Sequence, residues 1–337
     1  MTYPEKPLAL DPGNLSRFIA RVKDPDTHFA VSLGSGATLA LASSLSILQT
    51  LDDLGLRGHV DEVWGASSGA LAAGLWCSGT PVAEVMALLR RLRRRDLVDV
   101  AWGHILKGLF TRRWDLDLAD GLVNGRALIG RVRGLLRVEL VEDCPVRLRI
   151  LLAHDDGSAR IKVVKRGSLL DAIRSSIAMQ GVMRPGWFEG ERFVDPTLLE
   201  KTPLPSVTAD FRASGSTKKK LLILAAFFGY HGQTRPIRGL MSRIFFFKEV
   251  LQYQVFLAHL TAVRHQPGTD VIVYSPCIHD VDTLAVEQAD EIFSEVRRQM
   301  AVRLSDECLD ADIHKADPDV WVPRWCPSTL FERDEGE

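Results

Sequence analysis

Gly65-Ala66-Ser67-Ser68-Gly69 is a stretch whose residue types and spacing spell out a reaction. A serine between two glycines, with a residue on either side of it, is the pattern of a nucleophile elbow. There a strand turns sharply into a helix and holds the hydroxyl up at the turn. Gly65 and Gly69 suit the flanks because a Cβ would obstruct so tight a turn. The helix that follows aims free N–H groups and the positive end of its dipole at charge developing on a substrate. The chemistry this predicts is attack of Ser67 on an ester or related acyl carbonyl.

A serine hydroxyl is a weak nucleophile until a neighbouring base takes its proton. Nine histidines are present, and His231 and His279, each after a strand-like run, are the two whose positions could reach an active-site edge. Asp195 is the carboxylate candidate. It ends the short run Arg192-Phe193-Val194-Asp195 and precedes Pro196. A partly buried carboxylate bonded directly to the serine could serve as base alone. An Asp before a proline is also a common turn opener, and pattern alone leaves both uses open.

The elements needed to hold these groups are legible from hydrophobic periodicity. His28–Leu33 reads as a buried strand entering Gly34-Ser35-Gly36, and Thr38–Leu54 as a helix with Leu41, Leu45, Leu48 and Leu51 on one stripe. With the strand before Ser67 and the helix after it, the first 80 residues form a βαβα unit. Pro81 opens a further helix that ends in the basic run Arg90–Arg95, which reads as a solvated helix end. Residues 104–140 read as an irregular helical insertion. Val146–His154 and Arg160–Val164 flank Asp155-Asp156-Gly157-Ser158 as a hairpin. Lys219–Phe228 and Asp270–Ser275 read as central strands, and Leu284–Leu304 as an amphipathic helix.

Composition narrows the function classes. The chain of 337 residues is 46% hydrophobic, enough for a large core, and a net charge of −1 gives no field for nucleic acid. Five scattered cysteines without a CxxC pair predict a reducing compartment and no metal site, and no cofactor is expected. Residues 1–23 carry three prolines and no signal-like apolar core, and no apolar run is long enough to span a bilayer. The expectation is a cytoplasmic protein, with peripheral contact to a membrane as an option. Residues 1–27 form its lead-in, 28–305 one α/β domain, and 306–337 a partly disordered tail.

Three blocks resemble the patatin-like phospholipase family, in that family's order. They are Trp64–Leu71 around the elbow, Ser168–Ala178, and Gly190 through Asp195 to Leu198. The resemblance implies a three-layer α/β/α sandwich with a mostly parallel sheet. It also implies a Ser67–Asp195 dyad without histidine and an oxyanion hole from the backbone of Gly34, Ser35 and Gly36. The implied substrate is a fatty-acyl ester, a phospholipid or lysophospholipid. Two features depart from the family pattern. No Arg or Lys occurs between Ala30 and Gly55, where the family's glycine loop usually carries one, and Asp195-Pro196-Thr197 stands in place of Asp-Gly-Gly. They motivate an alternative, a catalytically impaired protein of the same fold that binds lipid or a protein partner. A third reading is an esterase with a histidine base. Residues 236–260 interleave Arg238, Arg243 and Lys248 with Phe245-Phe246-Phe247. That pattern fits an interfacial helix touching a membrane, and equally a core helix or a lid over an acyl pocket.

Overall fold

The computed structural model describes residues 12–93, 99, 121, 123–229, 239–276, 278 and 286–304. Among the described residues eight strands form one sheet: β1 (Thr27–Leu33), β2 (Glu62–Gly65), β3 (Leu148–His154), β4 (Ile161–Val164), β5 (Gly186–Phe188), β6 (Glu191–Val194), β7 (Lys220–Ala226) and β8 (Thr269–Tyr274). The order is β5-β6-β3-β2-β1-β7-β8, with β4 also on β3. From β3 through β8 the pairings along that path are parallel, whereas β4, β5 and β6 join antiparallel.

Buried residues alternate between two apolar layers, as the two-residue period of a strand requires. On one side Phe29, Val31, Val63, Ile150, Leu222 and Leu224 join α1 (Pro12–Lys23), α2 (Ala37–Asp53), α3 (Ser68–Cys77), α4 (Val82–Arg91), α5 (Arg126–Arg133), α6 (Leu169–Ser176) and α9 (Ala289–Leu304). On the other, Ala30, Trp64, Leu151, Ile223 and Val271 meet α7 (Pro205–Ala213) and α8 (Gly239–Arg264). All seven residues of β1 are buried, because helices cover both faces. This is the expected three-layer α/β/α arrangement.

Within the 1–27 lead-in, α1 forms over Pro12–Lys23, and its Phe18 and Val22 are buried in the larger core. Arg90, in the basic run, pairs with Asp290 at 2.7 Å. Arg94, Arg95, residues 104–120 and 122 of the 104–140 insertion and residues 305–337 lie outside the described residues, and the described part of that insertion holds α5. Among the described residues no helix is long and apolar enough to cross a membrane.

One detail of register positions everything that follows. Gly65 of β2 pairs with Ile150 of β3, on the edge of β3 opposite to β4. Ala153 pairs with Ile161 of β4 on one side and with Val194 of β6 on the other. β2 and β6 therefore share one edge of β3 and approach each other along it from opposite ends. The chain leaving β2 and the chain leaving β6 must meet opposite Leu151 and Leu152.

Candidate active site

The residues at that meeting point are Ser67 and Asp195. Ser67 sits at φ 55°, ψ −124°, between the end of β2 and the start of α3. A non-glycine residue pays strain there, of about 1–3 kcal/mol. The turn closes only because its flanks lack side chains. A Cβ on Gly65 would stand 2.5 Å from the Ala70 Cα, and one on Gly69 2.3 Å from the Leu33 carbonyl oxygen. Ser176, at the end of α6, fills the gap in the β3 edge. Its hydroxyl donates to the Leu151 carbonyl (2.8 Å) and accepts from the Ser67 N–H (2.9 Å).

Asp195 is 3% exposed. Its N–H donates to the Ala178 carbonyl at 2.9 Å, and its own carbonyl accepts from the Gln180 side-chain amide. The carboxylate accepts the Thr197 hydroxyl and the Thr197 N–H, the latter at 2.8 Å, and it feels the Ser67 hydroxyl beside it. Burial raises its pKa above the ordinary carboxylate value. The hydroxyl of Ser67, the bonds from Thr197 and the positive charge of Lys248 pull partly the other way. The proline that replaces glycine after Asp195 thus leaves the carboxylate anchored, because Thr197 at the next position supplies two donors.

The glycine loop is built differently from the expectation that Gly34, Ser35 and Gly36 all offer N–H groups. The Gly34 N–H donates to the Ala226 carbonyl (3.1 Å) and the Ser35 N–H to the Lys201 carbonyl (3.0 Å). Both are consumed in fastening the loop, the first to the end of β7 and the second to the segment after β6. Those of Gly36, Ala37 and Ser68 have no acceptor among the described residues. They sit at the N-termini of α2 and α3, where unpaired donors are expected. Ser35 and Ser68 also hold buried hydroxyls that lack a partner among the described residues.

Positive charge missing from the loop sequence arrives from elsewhere. Lys201 is 4% exposed. Its ammonium donates to the Gln252 side-chain oxygen at 3.2 Å and lies 5.2 Å from the centre of the Phe227 ring. Desolvation lowers its pKa to about 8, with the charges of Glu249, Lys248 and Asp195 acting on it as well. Spacing gave no signal for Thr197, Ser176 or Lys201, although Ser176 falls within the second and Thr197 within the third of the three similar blocks.

His231 and His279 lie outside the described residues. Of the other histidines, His28 sits at the start of β1 beside Glu62 (3.2 Å), and His154 at the end of β3, 3.8 Å from Glu191. Among the described residues there is no cluster of three potential metal ligands. A cavity of about 290 Å³ opens at the start of the central strands, lined by His28, Asp61, Glu62, Arg149, Asp210 and Lys218 among others.

A family model described as patatin-like phospholipase matches residues 31–208. Among solved structures, VipD from Legionella pneumophila is 13% identical over 84% of this chain and 66% of its own length, with a TM-score of 0.44. ExoU in complex with SpcU, from the type III secretion system of Pseudomonas aeruginosa, is 16% identical over 83% and 52%, with a TM-score of 0.40. The chain thus spans between about half and two thirds of the structures it matches.

Proposed function

Because this chain belongs to the patatin-like phospholipase family, we propose that it is a serine acyl hydrolase cleaving fatty-acyl esters of lipids through Ser67 and Asp195. The observation that carries this reading is that the Ser67 hydroxyl stands beside a buried carboxylate and acts on its charge. In the proposed reaction Ser67 attacks the ester carbonyl while Asp195 takes its proton. The unpaired N–H groups of Ser68 and of Gly36 or Ala37 receive the oxyanion, in place of the wider set Gly34 to Gly36. Asp195 then protonates the departing alcohol, and water, activated by the same carboxylate, releases the fatty acid from Ser67. Each oxyanion donor is worth on the order of 100-fold or more in turnover.

The membrane contact proposed for residues 236–260 draws support from α8. Its Tyr253, Phe256 and Leu260 are buried, while Ile244, Phe247 and Leu251 are 50%, 61% and 63% exposed. Residues 236–238 lie outside the described residues. The catalytically impaired alternative is favoured by one observation, that two loop N–H groups are already committed.

A fluorophosphonate probe separates the readings. Wild-type protein is expected to label at Ser67, and Ser67→Ala not at all. Turnover of a phospholipid or lysophospholipid is expected to fall on the order of 10⁴-fold in Ser67→Ala and in Asp195→Asn. No labelling of folded wild type would make the protein a binder, and loss of turnover only in His231→Ala or His279→Ala would replace Asp195 as base.

A further inference from the structure

We propose that Lys248, on α8, binds the phosphodiester of a phospholipid whose acyl ester lies at Ser67. This makes it a specificity-determining residue for the reaction proposed above, on which the inference rests. α8 lies outside the matched residues 31–208, so the feature belongs to this chain and not to the family model.

The geometry runs from the candidate site outward. The short turn Pro196–Leu198, directly after Asp195, packs against α8. One turn of helix separates Lys248 from Gln252, so the two share a face. Gln252 is buried and holds the Lys201 ammonium, and the Lys201 carbonyl holds the Ser35 N–H. Lys248 therefore stands on the part of α8 that faces the site. Its charge is felt by the Asp195 carboxylate, which it stabilises, and by the Lys201 ammonium, which it repels.

The two lysines have different standing. Lys201 is enclosed, with its ammonium occupied by Gln252 and the Phe227 face. Lys248 is only half-buried, and no carboxylate lies within 4.0 Å of it among the described residues. An ammonium near a reacting centre without a fixed counter-ion is poised for an anionic ligand. The surroundings indicate what carries that anion. Ile244, Phe247 and Leu251 recur at i, i+3 and i+7 as an exposed apolar stripe beside Lys248, and Leu198 is 44% exposed on the neighbouring turn. A cation bordering an apolar stripe matches an amphiphile with its charge close to its acyl chains. A phospholipid has that layout and an uncharged glyceride does not.

The test compares phosphatidylcholine with diacylglycerol of the same acyl chains in neutral-detergent mixed micelles. Lys248→Gln is expected to lower the ratio of the two kcat/KM values about tenfold, mainly through KM for phosphatidylcholine, and Lys248→Arg to restore most of it. An unmoved ratio overturns the inference. Equal losses on both substrates, with the acid limb of the pH profile shifted upward, overturn it too, since Lys248 would then act through Asp195. Calorimetry on Ser67→Ala with monomeric dihexanoyl-phosphatidylcholine needs no turnover. Binding there is expected to weaken about tenfold when Lys248→Gln is added. If nothing is hydrolysed yet binding depends on Lys248, the hydrolase reading fails and the subsite stands. Binding indifferent to Lys248 removes the subsite whatever the turnover. Inorganic phosphate, titrated in parallel, is expected to bind more weakly than the lipid; equal binding would assign the site to free phosphate.

Discussion

At the scale of single residues, the proposed chemistry turns on how one buried carboxylate is balanced. Desolvation raises the pKa of Asp195, and donors from Ser67 and Thr197 offset part of the rise. A base must be ionised to accept a proton, so kcat/KM is expected to fall on the acid side with a midpoint above 3.8, the ordinary value for an aspartate. Thr197→Val removes a hydroxyl that favours the ionised form but keeps the N–H. Its midpoint is expected to lie higher still, which a pH–rate profile measures directly. Ser67 presents a different balance, between position and strain. At φ 55° a Cβ is costly, so Ser67→Gly is expected to unfold with a free energy about 1 kcal/mol higher than Ser67→Ala, by denaturant titration. Both are expected to be inactive. Equal stabilities would mean that the elbow holds no strain.

At the scale of elements, the site is a consequence of strand handover. β2 covers β3 as far as Ile150, β6 covers it from Ala153, and the gap between them is where Ser67 and Asp195 face one another. Ser176 closes this gap by bonding Leu151 on one side and Ser67 on the other. Ser176→Ala leaves a buried N–H and a buried carbonyl without that partner. It is expected to destabilise the fold by about 1–3 kcal/mol and to lower kcat more than it raises KM. A loss of stability without any loss of kcat would limit Ser176 to packing. The same handover explains why a carboxylate 128 residues from the serine in sequence can stand beside it. No local pattern encodes a pairing between two strands that share an edge but arrive from opposite ends.

At the scale of the whole molecule, buried ionisable groups beyond Asp195 make stability depend on pH. Glu200, 4% exposed, accepts the N–H and hydroxyl of Ser206 at the start of α7. Desolvation nonetheless raises its pKa from 4.5 to about 6. A carboxyl whose folded value is raised stabilises the native state fully below pH 4.5, and that contribution is lost as pH rises through 6. Glu200→Gln cannot titrate. Its stability relative to wild type is therefore expected to improve by about 2 kcal/mol between pH 4 and pH 7, in urea titrations at the two values. A difference that stays constant across that range would show that the hydrogen bonds from Ser206 cancel the desolvation.

The sequence by itself determined the elements and one half of the candidate site. Apolar runs such as His28–Leu33 and Lys219–Phe228, and the stripe along Thr38–Leu54, encode burial directly, and α2 formed over Ala37–Asp53 as that stripe requires. The elbow was equally legible, because Gly65, Ser67 and Gly69 meet their steric demands within five residues of chain. Only the tertiary structure decided what surrounds the serine. The Asp195 turn, the fate of the Gly34 and Ser35 N–H groups, and the arrival of Lys201 and Lys248 all depend on contacts between segments far apart in sequence. The missing cation of the glycine loop illustrates the difference. Its absence is written between Ala30 and Gly55, but the positive charge near Asp195 comes from a segment after β6 and from a helix beyond β7. Electrostatic interaction depends on distance in space and not on position along the chain, and so it is settled only when the chain has folded.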